Sequence, residues 1–226
     1  LPADHRRDAD GRPGHGDRVC GIPDIFTAVD IAGGNDRLCR RRRRRFRTGH
    51  GLRISRRRPR SAGRDPMTGV LFVCTGNICR SPTAEAVFTD MLRSRGLEGR
   101  IFADSCGISG HHVGEPPDPR SRAAALRRGI DMSALRARAL QPGDGLRFDL
   151  LLAMDSGHLR HLRNHPAPGF ADRARLFLEP VAQRFGRTEV PDPYYDREGR
   201  GFDLVLDLVE AASAAWLDRL TTGDVR

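Results

Sequence analysis

Residues 70–88 read VLFVCTGNICRSPTAEAVF, and the order of residue types there decides the fold. VLFV (70–73) is a continuous apolar run, the mark of a strand buried on both faces. A short loop, Cys74-Thr75-Gly76-Asn77-Ile78-Cys79-Arg80-Ser81, follows it. Ser81 and Pro82 then supply a helix start, with a hydroxyl near the cap and a proline in the first turn. Ala84, Val87, Phe88, Met91 and Leu92 recur at helical spacing on one face, and Gly96 ends the run. The stretch therefore predicts strand, tight loop and helix.

Similar units follow downstream. RIFADS (100–105) reads as a second strand and PRSRAAALRRGI (119–130) as a helix ending at Gly129. FDLLLAM (148–154) reads as a third buried strand, with a short helix after Asp155, and RARLFL (173–178) as a fourth strand. Near the C-terminus Phe202, Val205, Leu206, Val209, Trp216 and Leu220 share one helical face. Strands alternating with helices predict an α/β fold: a single doubly wound domain over 67–226, with a four-stranded parallel sheet flanked by helices.

The chain has 226 residues and a formal net charge of +10. All of that excess lies in residues 1–66, which hold 18 Arg, 8 Asp and neither Lys nor Glu; residues 67–226 balance 21 basic against 21 acidic side chains. The globular part thus offers no bulk electrostatic case for nucleic acid. Residues 1–66, with RLCRRRRRRFR at 37–47, are rich in Gly, Pro, Asp and Arg and are expected to be a disordered basic extension. One reading makes them a tether to nucleic acid or an anionic membrane. The favoured reading is that they are not native and that the functional protein begins at Met67. No apolar run approaches the ~18 residues of a membrane helix, and no secretory h-region opens the chain. The five cysteines (Cys20, Cys39, Cys74, Cys79, Cys106) are too scattered for a disulfide framework. The expectation is a cytoplasmic protein without membrane attachment, with a monomer as the default state.

The loop carries the chemistry. Cys74 ends the first strand, where open α/β sheets place their ligands. Thr75, Gly76, Asn77, Ile78, Cys79, Arg80 and Ser81 form a phosphate-binding cradle in which backbone N–H groups, leading into a helix N-terminus, can converge on an anion. The same field favours a thiolate, and cysteines so placed can have pKa values of ~3.5–7.5. Gly76 and Asn77 tolerate the left-handed backbone that such a turn needs. Arg80 can fork two phosphate oxygens, as a lysine cannot. The C-x5-R spacing therefore sets a nucleophile beside an anion clamp. A zinc site would need a second ligand pair. A Walker loop needs a lysine, and a dinucleotide fingerprint needs G-x-G-x-x-G; neither is present.

A phosphoryl group moved to Cys74 needs an acid for its leaving oxygen and a base for the water that releases it. VPDPYYD (190–196) offers Asp192, held extended by Pro193. Taken alone, Asp-Pro is most simply a turn. Tyr194 and Tyr195 are the only tyrosines in the chain; they could wall an aromatic pocket or merely pack a loop.

Together, VLFVCTGNICRSPTAEAVF and VPDPYYD resemble the low-molecular-weight protein tyrosine phosphatases. DSCGISGHHVGEPPDPRS (104–121) and FDLLLAMDSGHLRHL (148–162) extend the resemblance over essentially all of 67–226. It implies a metal-free enzyme without cofactor, acting on phosphotyrosine proteins. It implies that Cys74 is the nucleophile, that Arg80 binds the phosphate and the transition state, and that Ser81 helps keep Cys74 ionised. Asn77 and Ser105 would hold the loop in its strained form. Asp192 would be general acid and then base. Cys79 would be the neighbour able to trap oxidised Cys74 as a disulfide, and Asp155 a structural aspartate. Cys106 receives no role.

Two departures stand out. Many relatives carry a histidine where Leu135 stands, supporting the loop asparagine, so that support is expected to be weaker or differently built. The lip of the pocket falls on His111, which suits acidic neighbours in a substrate or is simply a solvated residue. Rival readings on the same fold are an arsenate reductase, disfavoured by the lack of any cysteine after Cys106, and a protein-arginine phosphatase. Ile78 with the tyrosine pair favours phosphotyrosine over the latter. A non-catalytic phosphate binder would not need Asp192.

Overall fold

The structure, a computed structural model, describes residues 67–196 and 200–224. The disorder expected for 1–66, and the reading of that segment as non-native, lie outside the described residues. The order of elements is β1 (Thr68–Cys74), α1 (Arg80–Ser94), β2 (Ile101–Gly107), α2 (Pro119–Leu126), α3 (Asp144–Arg147) and β3 (Leu150–Ala153). Then come α4 (Ser156–Arg163), α5 (Phe170–Arg173), β4 (Ala174–Leu176), a 3-10 turn (Glu179–Val181), α6 (Ala182–Phe185) and α7 (Arg200–Thr222). The four strands form one sheet in the order β2-β1-β3-β4, and every pairing is parallel.

Side chains alternate across a strand, and β1 shows why its whole run is apolar. Val70 and Phe72 face a core with Val87 and Phe88 of α1 and Val205, Val209 and Trp216 of α7. Leu71 and Val73 face a second core with Leu151, Phe148, Leu162 and Phe170. Helices on both faces complete the doubly wound arrangement expected from the sequence. Phe72 meets Phe88 and Phe177 edge-on, at centroid distances of 5.4 and 5.3 Å. The Trp216 indole N–H, buried under the sheet, donates to the Phe177 carbonyl at 2.8 Å. A polar ring atom is thereby satisfied inside an apolar layer.

Element ends differ from expectation by a few residues. The strand expected at 100–105 runs to Gly107, because its last residues pair with Val73 and Cys74. The helix expected to end at Gly129 stops at Leu126, and Gly129 closes it with φ 78°. Ser81 is not a helix cap. Cys79 holds the cap position of α1 with no side-chain hydrogen bond, and the Ser81 hydroxyl turns inward instead.

The chain leaves β1 for β2 on one side and returns to β3 on the other, so β1 lies at the switch in strand order. The crevice beyond its carboxyl end is where such sheets bind ligands. Among the described residues no helix is long and apolar enough to cross a membrane.

Candidate active site

Loop 75–79 turns back over the end of β1 through Asn77, a non-glycine residue with φ 58°. An asparagine tolerates this left-handed backbone better than most residues, and the side chain holds it there. Asn77 Nδ2 donates to Ser81 Oγ at 2.9 Å and to Ser105 Oγ at 2.7 Å. Asn77 Oδ1 accepts the backbone N–H of Arg138 at 2.8 Å. All three bonds are buried or nearly so, and a buried amide left without them would carry its full desolvation cost.

The donors fall into a sequence. Since Asn77 donates into Ser81, the Ser81 proton is left for Cys74, whose sulfur lies 3.0 Å from the hydroxyl, or for the more distant Cys106 carbonyl at 3.4 Å. The sulfur also accepts the Asn77 backbone N–H at 3.3 Å. On the other side Ser105 Oγ donates to Glu85 at 2.6 Å. Burial pushes the Glu85 carboxyl up to about 7, against the Ser105 bond that lowers it. Glu85 of α1, half-buried behind Ser105, was not foreseen in the sequence; nothing in its spacing marks it as a partner of the loop support.

The expected histidine support for Asn77 is absent. Leu135 packs against the larger core instead, and the contact to Asn77 Oδ1 comes from a main-chain N–H three residues on. The Arg138 side chain anchors that backbone, reaching Asp104 at 3.0 Å and Asp144 at 2.9 Å. Loop support is thus differently built rather than missing.

Arg80, at the start of α1, is nearly buried and points its fork at two carboxylates. Nη1 lies 2.9 Å from Asp155 Oδ2, and Nη2 lies 2.9 Å from Asp192 Oδ2. Burial alone would raise the Asp155 carboxyl, but the His158 N–H groups and Arg80 outweigh it and hold the group well below the usual carboxylate range. Asp155 also caps α4, its side chain accepting the His158 N–H. The structural part expected for Asp155 is therefore specific: it orients the guanidinium.

Cys74, Thr75, Gly76, Ile78, Cys79 and Arg80 line a cleft of about 260 Å³. Asp192, Tyr194 and Tyr195 line it too, as do Ser109, His111 and His112. Asn77, Ser81 and Ser105 stand behind the loop rather than in the cleft. The two tyrosine rings meet edge-on at 5.3 Å, and Tyr195 is 82% exposed. Arg120 fixes their segment: it donates to the Tyr194 carbonyl at 3.1 Å and pairs with Asp118 at 2.8 Å. His111 accompanies His112, whose ring packs over Gly76 and pairs with Glu115 at 2.7 Å. Neither His112 nor Arg120 was singled out in the sequence.

Cys79 is buried, and burial together with nearby Asp118 pushes its thiol up to about 12. Cys106 is likewise pushed well up by burial. Among the described residues all three cysteines, Cys74, Cys79 and Cys106, are free thiols.

The comparisons agree with this architecture. A family model described as low molecular weight phosphotyrosine protein phosphatase matches residues 69–225. A low molecular weight protein-tyrosine-phosphatase of Streptomyces coelicolor is 46% identical over 153 residues, covering 66% of this chain and 90% of that one. The human low molecular weight phosphotyrosine protein phosphatase is 35% identical over 150 residues, covering 66% of this chain and 94% of its own. The crystal structure of YfkJ from Bacillus subtilis superposes with a TM-score of 0.65 at 37% identity, covering 71% of this chain and 99% of that one. A protein tyrosine phosphatase from Entamoeba histolytica, with Hepes in its active site, gives 0.66 at 32% identity, covering 70% and 99%.

Proposed function

This chain belongs to the low molecular weight phosphotyrosine protein phosphatase family, and on that premise we propose that it hydrolyses phosphotyrosine in proteins through a phosphocysteine intermediate. The observation that carries the reading is the joint aim of Cys74, Arg80 and Asp192 into one cleft.

The phosphate dianion of the substrate docks against the N–H groups of loop 75–79 and the Arg80 fork. Cys74 Sγ attacks phosphorus in line as the bond to the tyrosyl oxygen breaks, and Asp192 gives its proton to that oxygen. A phenol has a pKa near ~10, so its anion leaves slowly without that proton. Charge spreads over the equatorial phosphoryl oxygens, and the preset Arg80 and loop donors stabilise it there. Water then attacks phosphorus, gives a proton to Asp192, and displaces Sγ as inorganic phosphate forms. The N–H of Asn77 and the hydroxyl of Ser81 stabilise Sγ as attacking and as leaving group.

Ile78, Tyr194 and Tyr195 offer apolar and aromatic surface to a substrate ring. The test is turnover of phosphotyrosine, phosphoarginine and phosphoserine peptides by the purified full chain in EDTA. Phosphotyrosine should be preferred and Cys74→Ser should be inactive. Preference for phosphoarginine, or undiminished activity in Cys74→Ser, would refute the reading.

A further inference from the structure

His158 is nearly sealed from solvent, with its side chain 4% exposed, and none of the steps above uses it. Both of its ring nitrogens nonetheless meet groups attached to the site. Nδ1 lies 2.8 Å from Asp155 Oδ1, at ion-pair distance though not aligned as a linear hydrogen bond. The His158 backbone N–H donates to the same oxygen at 2.9 Å. The other oxygen of Asp155 holds Arg80. Nε2 lies 2.9 Å from the hydroxyl of Thr75, the residue directly after Cys74.

We propose that His158 is a positioning residue that braces the Arg80 guanidinium and the phosphate-binding loop against each other. The proposal rests on the phosphatase reading above. A nitrogen lone pair facing a carboxylate oxygen at 2.8 Å would be repelled, so the partners assign the ring proton to Nδ1. With that proton on Nδ1, Nε2 is placed to accept the Thr75 hydroxyl proton. The Thr75 carbonyl is already tied, accepting the Ser109 N–H at 2.9 Å. One polar chain thus runs from buried Arg80 through half-buried Asp155 and buried His158 to Thr75 at the exposed edge of the loop. Polar contacts on both ring nitrogens limit how far the loop and the guanidinium can shift, and catalytic groups must be held to about 0.5 Å. Loss of the brace should weaken transition-state contacts more than substrate docking, so kcat should fall and KM change little.

The chain has two separable links. His158→Asn can keep an N–H near Asp155 but cannot reach Thr75, whereas His158→Gln can reach Thr75 but not Asp155. The experiment measures p-nitrophenyl phosphate turnover by the full chain, with kcat normalised to active sites by the burst amplitude. His158→Asn should lower kcat per active site about 10- to 100-fold. Thr75→Val should lower kcat in the wild-type and His158→Gln backgrounds and add little in His158→Asn, because that link is already gone. A merely structural role would reduce the active fraction and the melting temperature while leaving kcat per active site at the wild-type value. That result overturns the proposal, and so does an equal cost of Thr75→Val in both variants. Calorimetric affinity for orthovanadate, which takes up the five-coordinate geometry of the transition state, reads the same brace without turnover. If the wild-type chain hydrolysed no aryl phosphate, the phosphatase reading would fail, and unchanged vanadate affinity in His158→Asn would then reject the brace separately.

Discussion

Arg80 Nη2 lies 2.9 Å from Asp192 Oδ2, so the proposed phosphate clamp holds the proposed acid by the same fork. The other arm of that fork is fixed on Asp155. Asp192 and an incoming phosphate therefore compete for one guanidinium nitrogen. An Asp192 carboxylate that yields Arg80 to the dianion can take up a proton and then deliver it to the leaving oxygen.

Replacing the acid tests this coupling. Asp192→Asn should lower kcat on phosphotyrosine by about 10²- to 10⁴-fold, the usual weight of general acid–base catalysis. Affinity for inorganic phosphate should hold or tighten, because a competing negative charge has left Arg80. Steady-state kinetics and calorimetry read the two effects separately. Phosphate affinity falling in step with kcat would count against the competition.

The loop asparagine is expected to act through both its backbone and its amide. Asn77→Ala loses three buried hydrogen bonds and places a Cβ residue without local polar compensation at positive φ. It should cost about 2–4 kcal/mol of stability. Asn77→Gly loses the same bonds but suits that backbone, so it should cost about 1 kcal/mol less. Urea unfolding of the two variants gives the comparison, and equal costs would remove the role of strain.

Glu85 links stability to pH. Burial and the neighbouring Asp104 charge lift its carboxyl from its ordinary value of 4.5 to about 7 in the folded chain, although the Ser105 hydrogen bond and the Arg138 charge pull it down. The folded state thus holds this proton more tightly than the unfolded state does. The resulting stabilisation is full below pH 4.5 and is lost as pH rises through 7. Glu85→Gln, which keeps an acceptor for Ser105, should remove that slope. Above pH 8 it should be more stable than the wild type, by on the order of 1–3 kcal/mol. Melting curves from pH 5 to 9 check the crossing, and parallel curves would dismiss it.

Thiol labelling should separate the cysteines. Burial keeps Cys79 and Cys106 protonated far above neutrality, whereas Cys74 lines the cleft and receives two hydrogen-bonding groups. Iodoacetamide at pH 7 should therefore modify Cys74 first among these three, and inorganic phosphate should slow it. Peptide mass spectrometry locates the label; early modification of Cys106 would contradict the burial argument.

Much of the fold was legible because its signals are local. Apolar runs at 70–73 and 150–153 became central strands, and the 3.6-residue spacing in α1 and α7 became their buried faces. The spacing from Cys74 to Arg80 placed both residues at one cleft because a strand, a turn and a helix start leave them little freedom. Ser81 and Pro82 do fall in the first turn of α1, but the Ser81 hydroxyl serves the loop rather than the helix end, because Asn77 and Cys74 offer it partners there.

By itself the sequence determined a parallel α/β domain with a cysteine and an arginine at the end of its first strand, since periodicity and short-range backbone geometry act between near neighbours. Only the tertiary structure decided what each group touches. Arg80 meets Asp155 and Asp192 across 75 and 112 residues of chain, and Thr75 meets His158 across 83. Main-chain donors such as the Arg138 N–H carry no residue signature at all. Such contacts arise when the sheet stacks distant loops over one strand end, and burial, not spacing, then sets which polar groups must pair.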